Sequence, residues 1–296
     1  MKKYVLKNLT LSRPPEITLE ETAYNSIKQA REILSGGLAL ESKYEILISN
    51  YSDFEKAISN CAIDHMIRRK TEYEDFLLTS INLNKALVNL LTSTYSYCEG
   101  ARKFTSCLPD KELFKKRIDE LLSAERSNST EYHFMENLRN YTQHRGLPVH
   151  SITYGSHREN DKIVYSMYIA SKRESFLKDR HFNKELLKKL PGSIDLKLFV
   201  RVYIECLSRV HAGVRDYIKP ALQEARTTIE HFITEYWKIC DKEMVGLHAI
   251  CSDDDKEMDK VPLFLKWDDL RLKLVKMNPK LTNLRIRCVS DYTELT

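Results

Sequence analysis

The sequence is poor in residues that interrupt secondary structure, with only 8 glycines and 8 prolines among 296 residues. Ordinary usage is about 7% for glycine and about 5% for proline, so both are scarce here. This scarcity predicts long helices joined by few turns. The chain also lacks an apolar run of the roughly 20 residues that a membrane-spanning helix requires, so no membrane partner is expected.

The seven cysteines include no C-x-x-C pair, and several of them occupy apolar positions of helical segments. An odd number of isolated cysteines does not suggest a disulfide framework, and it fits a reducing compartment. The first ten residues, M-K-K-Y-V-L-K-N-L-T, have no long apolar stretch after their charges, so no signal peptide is expected. The predicted location is therefore the cytoplasm.

Several common catalytic motifs are missing, and the charge is close to balanced. The sequence contains no G-x-x-x-x-G-K, G-x-G-x-x-G, H-E-x-x-H or G-x-S-x-G, which leaves ATP hydrolysis, metalloprotease and hydrolase-elbow chemistry without support. Cys240, His248 and Cys251 lack a fourth ligand, so neither a metal nor a cofactor is expected. The net charge of +5 permits a phosphate-bearing partner without demanding one.

Apolar periodicity predicts an all-α fold with long helices. The helices are expected at about 18–34, 39–59, 63–100, 110–126, 130–145 and 193–242. Gly36 and Gly37 should end the first of them, and Pro220 should kink or interrupt the last. The predicted division of the chain is an N-terminal arm (1–16), a helical domain (17–245) and a small C-terminal extension (246–296).

One segment has the alternation of a strand rather than that of a helix. V-H-S-I-T-Y-G and K-I-V-Y-S-M-Y-I-A are rich in β-branched and aromatic residues, which predicts a β-hairpin insertion at about 149–172. It is the only strong strand signal in the chain. The C-terminal extension should contain an acidic loop, S-D-D-D-K-E, a short helix near 267–277 and a strand at 283–289.

Candidate catalytic residues lie in L-R-N-Y-T-Q-H-R-G-L-P, residues 138–148. In an unbroken helix, side chains five positions apart point about 140° apart. We therefore expect the helix to loosen near Gly146 and Pro148, so that Arg139 and His144 converge. Arginine has a planar fork suited to phosphate oxygens, and histidine can move a proton near neutral pH. Such a pair could cleave RNA without a metal, by promoting attack of the 2′-hydroxyl on the adjacent phosphate.

The pattern R-N-x-x-x-H, formed by Arg139, Asn140 and His144, resembles the motif of the HEPN superfamily. Type VI CRISPR effector nucleases, bacterial toxin and anti-phage RNases and the kinase-extension nuclease of RNase L carry similar motifs. The resemblance implies a helical bundle that forms a homodimer, in which two motifs face each other in one composite site. It implies metal-independent cleavage to a 2′,3′-cyclic phosphate, with Arg139 and His144 catalytic and Asn140 orienting them. It also implies a role in toxin or anti-phage defence.

Three further residues are predicted to bind RNA. Arg145 follows the motif directly, and His150 and Tyr154 lie along the first strand of the expected hairpin, where they could line a groove near Arg139. Histidines in such positions are more often ordinary surface residues. Some toxins continue the motif with a tyrosine two residues after the histidine, which a partner antitoxin modifies. Here Arg145 and Gly146 follow, so that regulation is not implied.

Two alternatives remain open. Arg139 could pair with Glu136 on its own helix, and His144 could bond the last carbonyl groups of that helix as a cap. In that case the protein would be a non-catalytic HEPN-like scaffold, a nucleotide-sensing module or an adaptor subunit of a larger defence complex. In the adaptor alternative, the nuclease would stay silent until a partner protein arrives.

Overall fold

The computed structural model describes residues 2–10, 15–68, 72–104, 108, 110–159, 162–240, 245–254 and 256–287. The helices in these residues are α1 (Glu21–Ile67), α2 (Tyr73–Phe104), α3 (Lys111–Asn128), α4 (Thr130–His144), α5 (Arg173–Leu177), α6 (Lys184–Lys188), α7 (Leu196–Trp237) and α8 (Lys266–Met277). The strands are β1 (Lys2–Asn8), β2 (Glu16–Thr18), β3 (Ser151–Glu159), β4 (Lys162–Lys172), β5 (Ser193–Asp195), β6 (Leu247–Asp253) and β7 (Lys256–Pro262).

The prediction of an all-α fold was wrong, because the chain combines long helices with two antiparallel sheets. The predicted hairpin is confirmed as β3 and β4, and β5 adds a third strand beside β4. The second sheet has the order β2-β1-β6-β7 and was not predicted. In that sheet β1 pairs with β6 from Lys2 opposite Asp253 to Asn8 opposite Leu247. Such pairing joins opposite ends of the chain, so a local pattern could not indicate it.

Helix α1 passes without interruption through Gly36 and Gly37, where the sequence predicted an end. A Cβ atom on Gly37 would lie 2.6 Å from Cδ2 of Leu222 and 3.2 Å from Cδ of Arg271. Glycine therefore permits close packing of α1 at this point rather than ending the helix. Helix α7 likewise continues through Pro220, so of the predicted kink or interruption the interruption was wrong, and the kink stays a prediction.

The C-terminal extension agrees with the prediction only in part. Helix α8 is confirmed. In the predicted acidic loop, Ser252 and Asp253 end β6, Asp254 follows at φ 43°, and Lys256 and Glu257 begin β7. Asp255 lies outside the described residues. The strand predicted at 283–289 was wrong over Leu284–Ile286, which form a 3₁₀ helix. Residues 288 and 289 lie outside the described residues. No helix in the described part of the chain is long and apolar enough to cross a membrane.

The chain forms two compact units, each assembled from separated segments. The first comprises Met1–Lys43, Gly100–Lys116 and Val214–Pro279, and it contains the β2-β1-β6-β7 sheet and α8. The second comprises Tyr44–Glu99, Arg117–Gly213 and Lys280–Thr296, and it contains α4 and the β3-β4-β5 sheet. The candidate catalytic residues therefore all belong to the second unit.

The second unit has an aromatic core beneath α4. Phe134 is fully buried and meets Phe176, Phe182 and Phe199 at ring-centroid distances of 5.8, 5.7 and 5.3 Å. Large aromatic side chains contribute much of the free energy of a core because each removes a large apolar area from water. This cluster ties α4 to α7 and to the short helices α5 and α6, and it fixes the surface on which the candidate site lies.

Candidate functional site

Helix α4 carries the R-N-x-x-x-H pattern and stays regular through His144. At its start, the Ser129 side chain accepts a hydrogen bond of 3.0 Å from the backbone N–H of Tyr132. At its end, the backbone N–H groups of Arg145 and Gly146 both donate to the carbonyl of Tyr141. The helix therefore ends after His144, and the loosening expected between Arg139 and His144 does not occur.

A cleft of about 360 Å³ lies beside the C-terminal half of α4. One face of the helix lines it, at the spacing that brings every third or fourth residue to the same side. Residues of the loop between α5 and α6 form the rest of its lining. The lining residues are Asn137, Asn140, Tyr141, His144, Arg145, Asp179, His181 and Phe182. The cleft thus combines two imidazoles, one guanidinium, one carboxylate and two amides above an aromatic floor.

Arg139 lies on a different face of α4 and does not line the cleft. Its guanidinium carbon lies 3.6 Å from the centroid of the Tyr95 ring, and its Nη1 donates a 2.7 Å hydrogen bond to Oδ1 of Asn140. The Nε atom is buried and has no hydrogen-bond partner. Within one chain, Asn140 therefore links Arg139 to the cleft that contains His144. Whether the two catalytic candidates meet in an assembly stays a prediction.

The structural alternative for Arg139 takes a different form from the one the sequence suggested. Oε2 of Glu136 forms a 2.6 Å ion pair with Nε of Arg126, so Glu136 is not the partner of Arg139. The imidazole of His144 is exposed, and no other side chain in the described part of the chain pairs with it. His144 is therefore accessible to a ligand in the cleft.

Of the three predicted RNA-binding residues, only Arg145 lines the cleft. His150 accepts a 3.0 Å hydrogen bond at Nδ1 from the backbone N–H of Lys172, and burial lowers the pKa of its imidazole. Burial has this effect because it disfavours the charged ring. Tyr154 stacks on His65 with ring centroids 4.3 Å apart. Both residues therefore have packing partners of their own.

No sequence pattern predicted that the loop between α5 and α6 lines the cleft, because this loop has neither periodicity nor a motif. Several contacts fix this loop. Phe182 is buried and stacks on Phe176 at 4.6 Å, and the backbone N–H of His181 donates to Oδ1 of Asp179 at 2.9 Å. Nζ of Lys184 donates to the carbonyl of Asp179 at 2.5 Å. The side chains of Asp179 and His181 are thus held at the cleft by a folded loop.

The segment that follows α4 is fixed by a buried amide. Oδ1 of Asn84 accepts a 2.9 Å hydrogen bond from the backbone N–H of Val149, and Asn84 is 3% exposed. We expect Asn84→Leu to lower the free energy of unfolding by about 1–3 kcal/mol, because a buried N–H loses its partner. Denaturant unfolding with far-UV circular dichroism measures this change. Asn82→Leu, at an exposed position of the same helix, is the control and should change stability by less than about 0.5 kcal/mol.

In the described part of the chain, no three His, Cys, Asp or Glu side chains converge as metal ligands. Comparisons with protein-family models, with curated proteins and with solved structures find no match to this chain. The chemistry of the cleft residues is therefore the basis on which a function can be inferred.

Proposed function

We propose that the protein is a metal-independent endoribonuclease of the HEPN type. The observation that carries the proposal is the cleft in which His144, Arg145 and Asn140 lie together. A phosphodiester held there would have an imidazole, a permanent positive charge and an amide within one small volume. These are the groups that cleavage by the 2′-hydroxyl requires when no metal supplies the positive charge.

In the proposed reaction, His144 accepts the proton of the 2′-hydroxyl as its oxygen attacks the adjacent phosphorus. Arg145 stabilises the charge that develops on the non-bridging oxygens, since a guanidinium matches their geometry. The bond between phosphorus and the 5′-oxygen then breaks, which leaves a 2′,3′-cyclic phosphate on one product and a 5′-hydroxyl on the other. Asn140, held by Arg139 at 2.7 Å, orients the groups on this face of the helix.

Because Arg139 does not line the cleft of its own chain, the proposal assigns it to a site that two copies of the chain form together. The motif resemblance implies a homodimer in which two R-N-x-x-x-H segments form a composite site, and Arg139 rests on Tyr95, a side chain that is 45% exposed. A facing subunit would cover this surface and place its own motif beside it. Sedimentation equilibrium tests this part of the proposal: a protein that remains monomeric while it cleaves RNA would contradict the composite site.

The reaction type can be tested with 5′-labelled RNA incubated with the purified protein in excess EDTA. We expect cleavage whose 5′ fragments end in a 2′,3′-cyclic phosphate, which acid opens to a mixture of 2′- and 3′-phosphates. Substrates in which every ribose carries a 2′-O-methyl group should remain intact, because their nucleophile is blocked. Cleavage of the methylated RNA, or an absolute requirement for a divalent ion, would contradict the proposal.

A non-catalytic nucleotide-binding module is the second candidate, and one observation favours it. Arg139 is engaged by Tyr95 and Asn140 and does not line the cleft, so the cleft of one chain could hold a nucleotide without cleaving it. A protein that binds RNA but leaves it whole, alone and with a candidate partner protein, would support this second candidate.

A role in toxin or anti-phage defence belongs to the first proposal. Growth arrest on expression of the wild type, but not of His144→Ala, tests this role.

A further inference from the structure

We propose that His181 is a second catalytic residue, the general acid that protonates the leaving 5′-oxygen; this rests on the proposed ribonuclease function. Cleavage by the 2′-hydroxyl requires two proton transfers. The O–H bond of the nucleophile loses its proton to a base as the bond to phosphorus forms. The bond from phosphorus to the 5′-oxygen breaks, and that oxygen takes a proton from an acid. One copy of the R-N-x-x-x-H pattern contains one histidine, so in the cleft of a single chain it supplies only one of these two groups.

The placement of His181 carries the assignment. It lies on the loop between α5 and α6, and His181 and His144 line the same cleft. The proposal places the scissile phosphate between these two imidazoles, with Arg145 at the end of the helix. This is the arrangement that in-line displacement requires, because the attacking and leaving oxygens lie on opposite sides of phosphorus.

The loop holds His181 in place for this role. Its backbone N–H is bonded to Asp179, and the next residue, Phe182, is 3% exposed and buried against Phe176. The backbone N–H of Asn183 also donates a 3.3 Å hydrogen bond to Oδ1 of Asn137, which ties the loop directly to α4. The two walls of the cleft are therefore connected beside the imidazole, and its distance from His144 is set by packed structure.

Two charged side chains lie beside His181. The carboxylate of Asp179 lines the same cleft. Nε of Arg180 donates a long hydrogen bond of 3.3 Å to Nε2 of His181, and both side chains are exposed. A doubly protonated ring cannot accept this bond, so the proposal requires Arg180 to turn toward solvent. Arg180→Gln should consequently leave RNA cleavage undiminished.

The experiment compares RNA with an activated substrate, uridine 3′-(4-nitrophenyl) phosphate, whose leaving group departs without a proton. On RNA, His181→Ala should lose about 10² to 10⁴ in rate, as is typical for a lost proton-transfer residue. On the activated ester, we expect His181→Ala to regain nearly wild-type activity and His144→Ala to stay impaired, because the base is still needed. His231→Ala, an exposed histidine of the first unit, is the matched control.

Each result decides the matter. The assignment would be overturned if His181→Ala cleaves RNA at the wild-type rate. It would also be overturned if His181→Ala stays impaired on both substrates although His181→Gln and thermal unfolding show an intact fold. The assignment would likewise be overturned if both histidine variants, or His144→Ala alone, regain wild-type activity on the activated ester. Wild-type protein that cleaves neither substrate would instead contradict the ribonuclease proposal itself, so the two failures are distinguishable.

Discussion

Replacing His144 with alanine is expected to slow RNA cleavage by about 10² to 10⁴-fold. The imidazole is exposed, lines the cleft and pairs with no other described side chain, so its removal should cost little stability. The loss should therefore appear in the rate constant under single-turnover conditions, while the affinity for RNA, carried mainly by positive charge, stays nearly constant. Quenched-flow or gel-based time courses with excess enzyme measure the two quantities separately.

Contamination by a cellular ribonuclease is the main hazard of this measurement. His231→Ala, purified in the same way, should retain full activity because His231 belongs to the other compact unit. If His144→Ala and His231→Ala cleave at the same rate, the activity belongs to a contaminant or to another site. A variant that loses binding and cleavage together, with an unchanged midpoint of unfolding, would instead assign His144 to substrate binding.

Replacing Asp268 with asparagine is expected to lower the free energy of unfolding of the first unit by about 3–5 kcal/mol. The Asp268 side chain is fully buried, and its carboxylate accepts bonds of 2.6 Å and 3.0 Å from Arg271 and 2.7 Å from Arg226. Arg271 is 7% exposed. Arg226 keeps its bonds to Glu230 and Asp269. The buried guanidinium of Arg271 instead loses the negative charge that it pairs with, which accounts for the size of the effect.

The next residue provides a matched control. Asp269 also bonds to Arg226, at 3.0 Å, but its side chain is half exposed, so Asp269→Asn should cost less than about 1 kcal/mol. The two tryptophans, Trp237 and Trp267, both lie in the first unit. Urea unfolding followed by tryptophan fluorescence therefore reports the stability of the unit that contains the substitution. Equal effects of the two substitutions would show that burial of the Asp268 carboxylate does not decide its contribution.

Local sequence patterns predicted the elements that local interactions determine. The positions of α3, α4 and α8 follow from apolar residues spaced three and four apart, and the β3–β4 hairpin follows from strict alternation. They failed at Gly37 and Pro220, where residues that usually break helices lie inside long ones. At Gly37 the reason is tertiary, since the missing side chain lets Leu222 and Arg271 approach the helix.

The sequence by itself determined the helical character of the chain, the hairpin and the identity of the Arg139, Asn140 and His144 pattern, because each depends on residues close together along the chain. Only the tertiary structure decided that β1 pairs with β6 and that α5 and α6 bring Asp179 and His181 to the end of α4. It also decided that Arg139 turns to Tyr95 while His144 lines the cleft. These arrangements join residues from distant positions in the chain, so no local periodicity could indicate them. Interstrand pairing joins β1 to β6 in the first unit, and the aromatic core around Phe134 packs α4 against the segment that carries Phe176 and Phe182 in the second.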